Sequence, residues 1–377
     1  MDFEYSEEQT LLKDSLRRFI DGRYDFESRR KLLASSDGFS RDNWRQFAEL
    51  GWLGVAFPED SGGFAGSPVE TMIIMEEFGR GLVVEPYLAT VVLGGGLVEI
   101  AGSAAQKSEI LEPMIAGELM LAFGHSEPQG RFNLADVRTT AEKDGDGYRL
   151  SGKKIVVYHA GVADRLIVSA RTSGDVRDSD GITLFLVDPR ADGVSIRDYR
   201  TVDGFRAGDI TLEGVKVGAD AVLGTVGGAH PAIEAVVDRA ISALAAEAVG
   251  AMERANEITN DYLKSRKQFG VAIGKFQVLQ HRMVDMYMHA EQAKSLSCML
   301  AMKLDGPDRE RALAAAATKA RVGQAARFVG EQAVQLHGGM GMTEEYTVGH
   351  YMKRLTMIET LFGNVDHHLR RYAALAD

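Results

Sequence analysis

The chain has 377 residues, 45% of them hydrophobic, enough for two or three domains with buried cores and too apolar for a disordered polypeptide. Lys and Arg total 43 against 54 Asp and Glu, a formal net charge of -11, which argues against nucleic acid as a partner and makes any phosphate site a local one. Cys298 is the single cysteine, so an internal disulfide, a CxxC metal site and a dithiol redox pair are excluded.

The first residues, Met1-Asp2-Phe3-Glu4-Tyr5-Ser6-Glu7-Glu8, are acidic where a targeting peptide would be basic, and no run of about 18 apolar residues follows. These features lead us to expect a soluble, cytoplasmic chain with no membrane contact. Ser6-Glu7-Glu8-Gln9 forms a capping box, and Leu11, Leu12, Leu16 and Phe19 then recur at helical spacing. Helical signals continue through Trp44-Arg45-Gln46-Phe47, break at Pro58-Glu59-Asp60-Ser61-Gly62-Gly63, and resume from Val69 to Phe78 and before Pro113. Residues 1–120 therefore read as a helical domain. Within it Gly94-Gly95-Gly96 lacks the Lys-Ser/Thr of a phosphate loop and reads as a bend or a close helix contact.

The texture then changes to short strands with Gly and Asp turns: Asp144-Gly145-Asp146-Gly147, Leu166-Ile167-Val168, Thr183 to Val187, and Ile210-Thr211-Leu212. Residues 121–228 read as a β domain. From 229 to 377, Ala-rich amphipathic stretches broken at Gly306-Pro307 read as a bundle of about four helices. The expected fold is mainly α with a central β domain.

Three stretches of the last segment, Ser265-Arg266-Lys267-Gln268-Phe269-Gly270, Phe276-Gln277-Val278-Leu279-Gln280-His281 and Gln335-Leu336-His337-Gly338-Gly339-Met340-Gly341, resemble the acyl-CoA dehydrogenase family. Phe57 to Gly63 and Ser126-Glu127-Pro128 with Gly130 extend the resemblance over essentially the whole chain. It implies that family's fold, an N-terminal helical domain, a middle β-barrel-like domain and a C-terminal four-helix bundle, and FAD as cofactor. It also implies that FAD crosses a subunit interface. Arg266, Phe269, Phe276, Gln277, Gln335, Gly338 and Gly339 match the residues that hold the diphosphate and adenine of a neighbour's FAD. The chemistry suits the residue types, because a guanidinium binds a diphosphate through paired hydrogen bonds and glycines let backbone N–H groups approach it. Singly, such an Arg is a surface charge and such a Gly pair a helix stop; their joint spacing favours the clamp.

The chain departs from the family elsewhere. The tryptophan and Thr or Ser that cover the flavin are replaced by Val156 and Tyr158 in Lys153-Lys154-Ile155-Val156-Val157-Tyr158-His159. The Gly-Ser-Asp after the Glu-Pro segment reads Gly130-Arg131-Phe132-Asn133, so Ser126 and Tyr158 remain as candidates on the flavin side. Counting from Arg354, Gly363 takes the place of the catalytic glutamate, and Ala240 takes the alternative base position ten residues before Gly250. Glu247, seven residues after Ala240 and so on the same helix face about 10 Å along, is the first candidate base. Asp366, beside His367 and His368, is the second; their spacing suits no metal set, and no metal is expected.

The resemblance thus implies α,β-desaturation of an acyl-CoA thioester by one subunit of a heteromeric enzyme. The chain is similar to pimeloyl-CoA dehydrogenase small subunits and to subunits acting on steroid side-chain thioesters. An intact clamp with an altered flavin side suggests a partner subunit, and the resemblance implies a paralogous large subunit, assembly as an α2β2 tetramer and electron-transfer flavoprotein as acceptor, oxidase activity not being excluded. The alternatives are a self-sufficient homo-oligomer with a relocated base and a non-catalytic scaffold of the same fold.

Overall fold

A computed structural model describes residues 5–376; Met1 to Glu4, part of the acidic start of the chain, and Asp377 lie outside the described residues. In chain order the helices are α1 (Glu7–Arg23), α2 (Phe26–Ala34), α3 (Arg41–Glu49), α4 (Pro68–Gly81), α5 (Gly96–Ala101) and α6 (Ala104–Ile115). The strands follow: β1 (Leu121–Gly124), β2 (Thr140–Asp144), β3 (Gly147–Tyr158), β4 (Arg165–Arg171), β5 (Ile182–Val187), β6 (Val194–Arg200), β7 (Arg206–Val217) and β8 (Val222–Leu223). The chain ends with α7 (His230–Ser265), a small hairpin of β9 (Lys267–Gln268) and β10 (Val271–Ala272), then α8 (Gln277–Lys303), α9 (Asp308–His337), α10 (Val348–Thr360) and α11 (Val365–Ala376). No helix among the described residues is long and apolar enough to cross a membrane.

The described residues fall into two compact units, one drawing on residues 5–31, 67–83 and 241–376, the other on Leu32–Gly66 and Val84–Ala240. In the first, α9 packs against α8, α10 and α11, and α4 against α1 and α8. Local chemistry starts these helices as the sequence predicts: the Ser6 side chain accepts the Gln9 N–H and the Gln9 side chain accepts the Ser6 N–H, closing the capping box of α1. Gly79 of α4 and Gly250 of α7 let two backbones touch. A Cβ on Gly79 would stand 1.9 Å from the Glu247 carbonyl oxygen, and one on Gly250 would stand 1.8 Å from that of Glu76.

The second unit is built on one sheet in the order β6-β7-β3-β2-β4-β5-β8, with β1 added in parallel on β4. Leu150, Leu166, Val168, Phe185, Ile210 and Leu212 form the centre of its core. The Asp-Gly turn joins β2 to β3, with Gly145 at φ +61 and Asp144 paired with Gly147. The glycine run at 94–96 is a close contact, as expected: a Cβ on Gly94 would lie 2.4 Å from Leu121 Cβ, and one on Gly95 would lie 2.7 Å from the Phe57 ring. The preceding Leu88–Gly95 segment is a π-helix.

Candidate functional site

The residues of the expected clamp lie where α7 and α9 end. Arg266 caps α7, its N–H donating to the Tyr262 carbonyl (2.8 Å), and its own carbonyl accepts the Ile273 N–H (2.9 Å) to close the β9–β10 hairpin. Phe269 sits at the hairpin tip with φ +53 and 90% of its surface exposed. Its ring meets that of Phe276 edge-on at 6.1 Å; Phe276 is the N-cap of α8 and Gln277 its first residue. Gln335 lies in the last turn of α9, which Gly338 terminates at φ +59.

Two rings tie the ends together. Tyr262 lies 4.4 Å from the His337 ring, which also packs against Tyr346 at 5.0 Å, and the Tyr262 hydroxyl donates to the His337 carbonyl at 3.4 Å. Arg266 is one turn beyond Tyr262 and Gly338 directly follows His337, so the two halves of the clamp are anchored by one contact. Arg266, Phe269, Phe276, Gln277, Gln335, Gly338 and Gly339 are all exposed. A Cβ on Gly338 or Gly339 would meet nothing within 4 Å. Packing within the chain therefore gives no reason for glycine at 339, whereas a ligand laid along the backbone does. An exposed guanidinium, two exposed rings and a bare glycine backbone fit the diphosphate and adenine of a dinucleotide.

The flavin-side candidates belong to the sheet unit. Ser126 follows β1; its hydroxyl lies 3.1 Å from the His125 Nε2, and its carbonyl accepts the Ile155 N–H at 2.9 Å. Tyr158 ends β3, buried and opposite Ala207 of β7. Between them β3 slips register from Lys154 to Val157, and Val156 stands 40% exposed with φ +53, a left-handed conformation that is a genuine outlier for a β-branched residue.

A buried ion pair that the sequence reading missed fixes this edge. Lys154 donates to Glu127 (2.7 Å) and to the Ser169 hydroxyl (3.0 Å). Glu127 also accepts the backbone N–H groups of Arg138 (2.8 Å) and Thr139 (3.0 Å), pinning the loop between β1 and β2. Burial pushes the Glu127 carboxyl up, but the Lys154 ammonium and the hydrogen bonds outweigh it and hold it down at about 2. Burial pulls Lys154 down to about 8, which still leaves the pair ionised at neutral pH. The signal was present: Lys154 stands at an inward position of a strand whose Leu150 and Val157 are core, where an unpaired lysine is not tolerated.

The two candidate bases differ, and Glu247 is not an open acceptor. Glu247 is buried at 3% exposure, and both its oxygens accept from the Arg354 guanidinium, at 2.6 and 2.7 Å. Its geometry is that of an interior ion pair between α7 and α10. Asp366 is exposed in the first turn of α11, the solvated helix start that the sequence suggested. Ala240 is fully buried. Gly363 has φ +115, and a Cβ there would lie 2.5 Å from His367 and 2.6 Å from His368. The Lys319 ammonium donates to the Glu359 and Gly363 carbonyls (2.8 and 2.7 Å), so the turn itself demands glycine.

Helical segments before and after a sheet-forming segment in chain order, with the residues of the expected clamp exposed, agree with a flavoenzyme of the acyl-CoA dehydrogenase class. Comparison with known proteins agrees. The acyl-CoA dehydrogenase N-terminal, middle and C-terminal domain profiles match residues 6–118, 122–215 and 228–375. A probable acyl-CoA dehydrogenase of Bacillus subtilis, YngJ, is 29% identical over 364 residues, 95% of each chain. Among solved structures, a variant of the Tcur3481–Tcur3483 steroid ACAD is 31% identical with a TM-score of 0.89 over 98% of both chains. The ChsE4–ChsE5 complex of Mycobacterium tuberculosis is 26% identical with a TM-score of 0.90, over 100% of this chain and 99% of that one. The chain belongs to the acyl-CoA dehydrogenase family, oxidoreductases that act on CH–CH bonds of acyl-CoA with FAD as cofactor.

Proposed function

We propose that the chain is the small subunit of an α2β2 acyl-CoA dehydrogenase, whose paralogous large subunit carries the flavin ring and the catalytic base. The observation that carries this reading is the contrast between the two sets of candidate residues. All seven clamp residues face outward, and Gly338 and Gly339 leave their backbone bare. Glu247, the one buried candidate base, is committed through both oxygens to Arg354.

In this reading Arg266 binds the diphosphate of FAD seated on the partner, Phe269 and Phe276 flank the adenine, and Gln277, Gln335 and the bare glycines supply polar contacts along it. FAD bound there would supply the acceptor for the hydride lost from the thioester Cβ. The accompanying α proton needs a carboxylate within hydrogen-bond reach of Cα, and Glu247, bound through both oxygens by Arg354, is not free to take it. Two of the similar structures carry a pair of names, the Tcur3481–Tcur3483 steroid ACAD and the ChsE4–ChsE5 complex, which supports a mixed assembly and a bulky thioester substrate. An electron-transfer flavoprotein is the acceptor this reading entails.

The test is the flavin content of the chain purified alone and with its paralogous partner. A colourless lone chain and a yellow complex with about one FAD per pair of subunits is the expected result. One FAD per protomer in the lone chain would overturn the proposal.

A further inference from the structure

His337 ends α9 in the middle of the clamp motif, yet it is itself buried, with 3% of its surface exposed. Gln335, two residues before it, and Gly338 and Gly339, directly after it, are exposed, so the chain turns inward at this position and outward again at once. Three segments of the helical unit bring rings together here. Tyr262 of α7 lies 4.4 Å from the imidazole, Tyr346 of the loop before α10 lies 5.0 Å from it, and the two tyrosines are 6.3 Å apart. Each ring is thus within pairing distance of the other two.

The imidazole is held in one orientation. A carbonyl oxygen only accepts, so the 2.8 Å contact between His337 Nδ1 and the Ala333 carbonyl places the proton on Nδ1. Nε2 has no hydrogen-bond partner among the described residues, and burial lowers the affinity of the ring for a second proton. The backbone that follows is tied to the same residue. The Tyr262 hydroxyl donates to the His337 carbonyl at 3.4 Å, and a Cβ on Gly341 would stand 3.1 Å from His337 Cβ, so the glycine segment folds back against the residue that starts it.

We propose that His337 is a positioning residue for the dinucleotide. The inference rests on the clamp reading: the buried ring does not meet the cofactor but sets the placement of Arg266, one turn beyond Tyr262 at the end of α7, relative to the Gly338–Gly339 backbone. With Nδ1 committed to Ala333 the ring keeps one plane, and Tyr262 and Tyr346 pack against it. An aliphatic side chain would fill the space without fixing an orientation. The guanidinium and the bare backbone are in this way aligned by folding, before a diphosphate arrives, and less freedom is lost on binding.

Release of FAD from the assembled enzyme on dilution, followed by flavin fluorescence, tests this. His337→Ala is expected to weaken retention about tenfold, and His337→Phe, which keeps a ring between the two tyrosines, to recover most of it. In an Arg266→Gln background His337→Ala should weaken retention further by no more than about threefold, because part of what His337 positions is already gone. Unchanged retention in His337→Ala, no recovery in His337→Phe, or losses at 266 and 337 that multiply in full would each overturn the inference and leave the clamp reading intact. Unchanged retention in Arg266→Gln would overturn both. Should the lone chain hold FAD, the pairing reading falls, and the same comparison on the lone chain decides the role of His337. Melting curves show whether each variant is folded; if His337→Ala is not, Tyr262→Leu breaks the same stack from α7 and takes its place in every comparison.

Discussion

Glu247 and Arg354 meet in the interior through two short hydrogen bonds, with 4% and 2% of their side chains exposed, respectively. Removing one partner of such a pair strands a charge in low dielectric, so Glu247→Ala should lower stability by about 3–5 kcal/mol in a denaturant titration. The milder Glu247→Gln separates structure from catalysis. Loss of a general base slows turnover by about 10²–10⁴-fold, whereas a structural carboxylate leaves the rate per folded complex within about threefold of the original, which is the expected outcome. Glu85 is a second buried carboxyl, beside α3: Ser40 N–H and the Asn43 amide donate to one oxygen at 3.4 and 3.2 Å, and the other has no hydrogen-bond partner among the described residues. Burial pushes it from 4.5 up to about 8. The folded chain therefore keeps a proton that the unfolded chain loses, and stability falls as pH rises from about 4.5 to about 8, then levels. Glu85→Gln should remove that slope and be the more stable protein at pH 8, by an amount on the order of a few kcal/mol, as read from melting at several pH values.

At the scale of elements, the crossing of α4 and α7 decides whether the helical unit closes. A methyl group at 250 would stand 1.8 Å from the Glu76 carbonyl oxygen, an overlap that backbone cannot relieve, so Gly250→Ala should cost more than the ~1–3 kcal/mol of ordinary overpacking and leave little folded protein by circular dichroism. The sequence showed Gly250 only as a glycine inside a helix, and gave Gly79 no meaning, because the two are joined by a contact across 171 positions rather than by a period. Gly363 carries the same lesson in reverse. Counting along the chain made it the mark of a missing base, but its φ of +115 and the packed imidazoles of His367 and His368 require glycine for reasons of shape. What patterning did reveal was anything repeating every two or 3.6 residues: the capping box at Ser6, the strands through Leu166 and Ile210, the break at Gly306-Pro307. The strain at Val156 and the Glu127–Lys154 pair lay outside its reach, since each depends on partners brought by tertiary structure.

At the scale of the whole molecule, helical, sheet and helical segments in that order were enough to define the fold class, and the motifs at 265–270, 276–281 and 335–341 the family. The seven clamp residues within those motifs proved to be exposed, which no one-dimensional pattern states. If the clamp serves another chain's cofactor, Arg266→Gln should leave the melting of the lone chain unchanged, because Arg266 is exposed, while the assembled enzyme loses FAD. Loss of one charge-assisted contact predicts about ten- to hundredfold weaker retention on dilution, followed by flavin fluorescence. Equal retention in variant and parent would mean that Arg266 does not touch the cofactor.

The hairpin tip has a consequence for the cell. Phe269 is nine-tenths exposed, and Phe276, Val278, Met340 and Met342 are exposed on the flanking segments; such apolar surface invites unspecific association when nothing covers it. Under the proposed pairing, a surplus of this polypeptide over its partner would be a burden on the quality-control machinery, and synthesis of the two in matched amounts, from adjacent reading frames or a shared message, would be the economical arrangement.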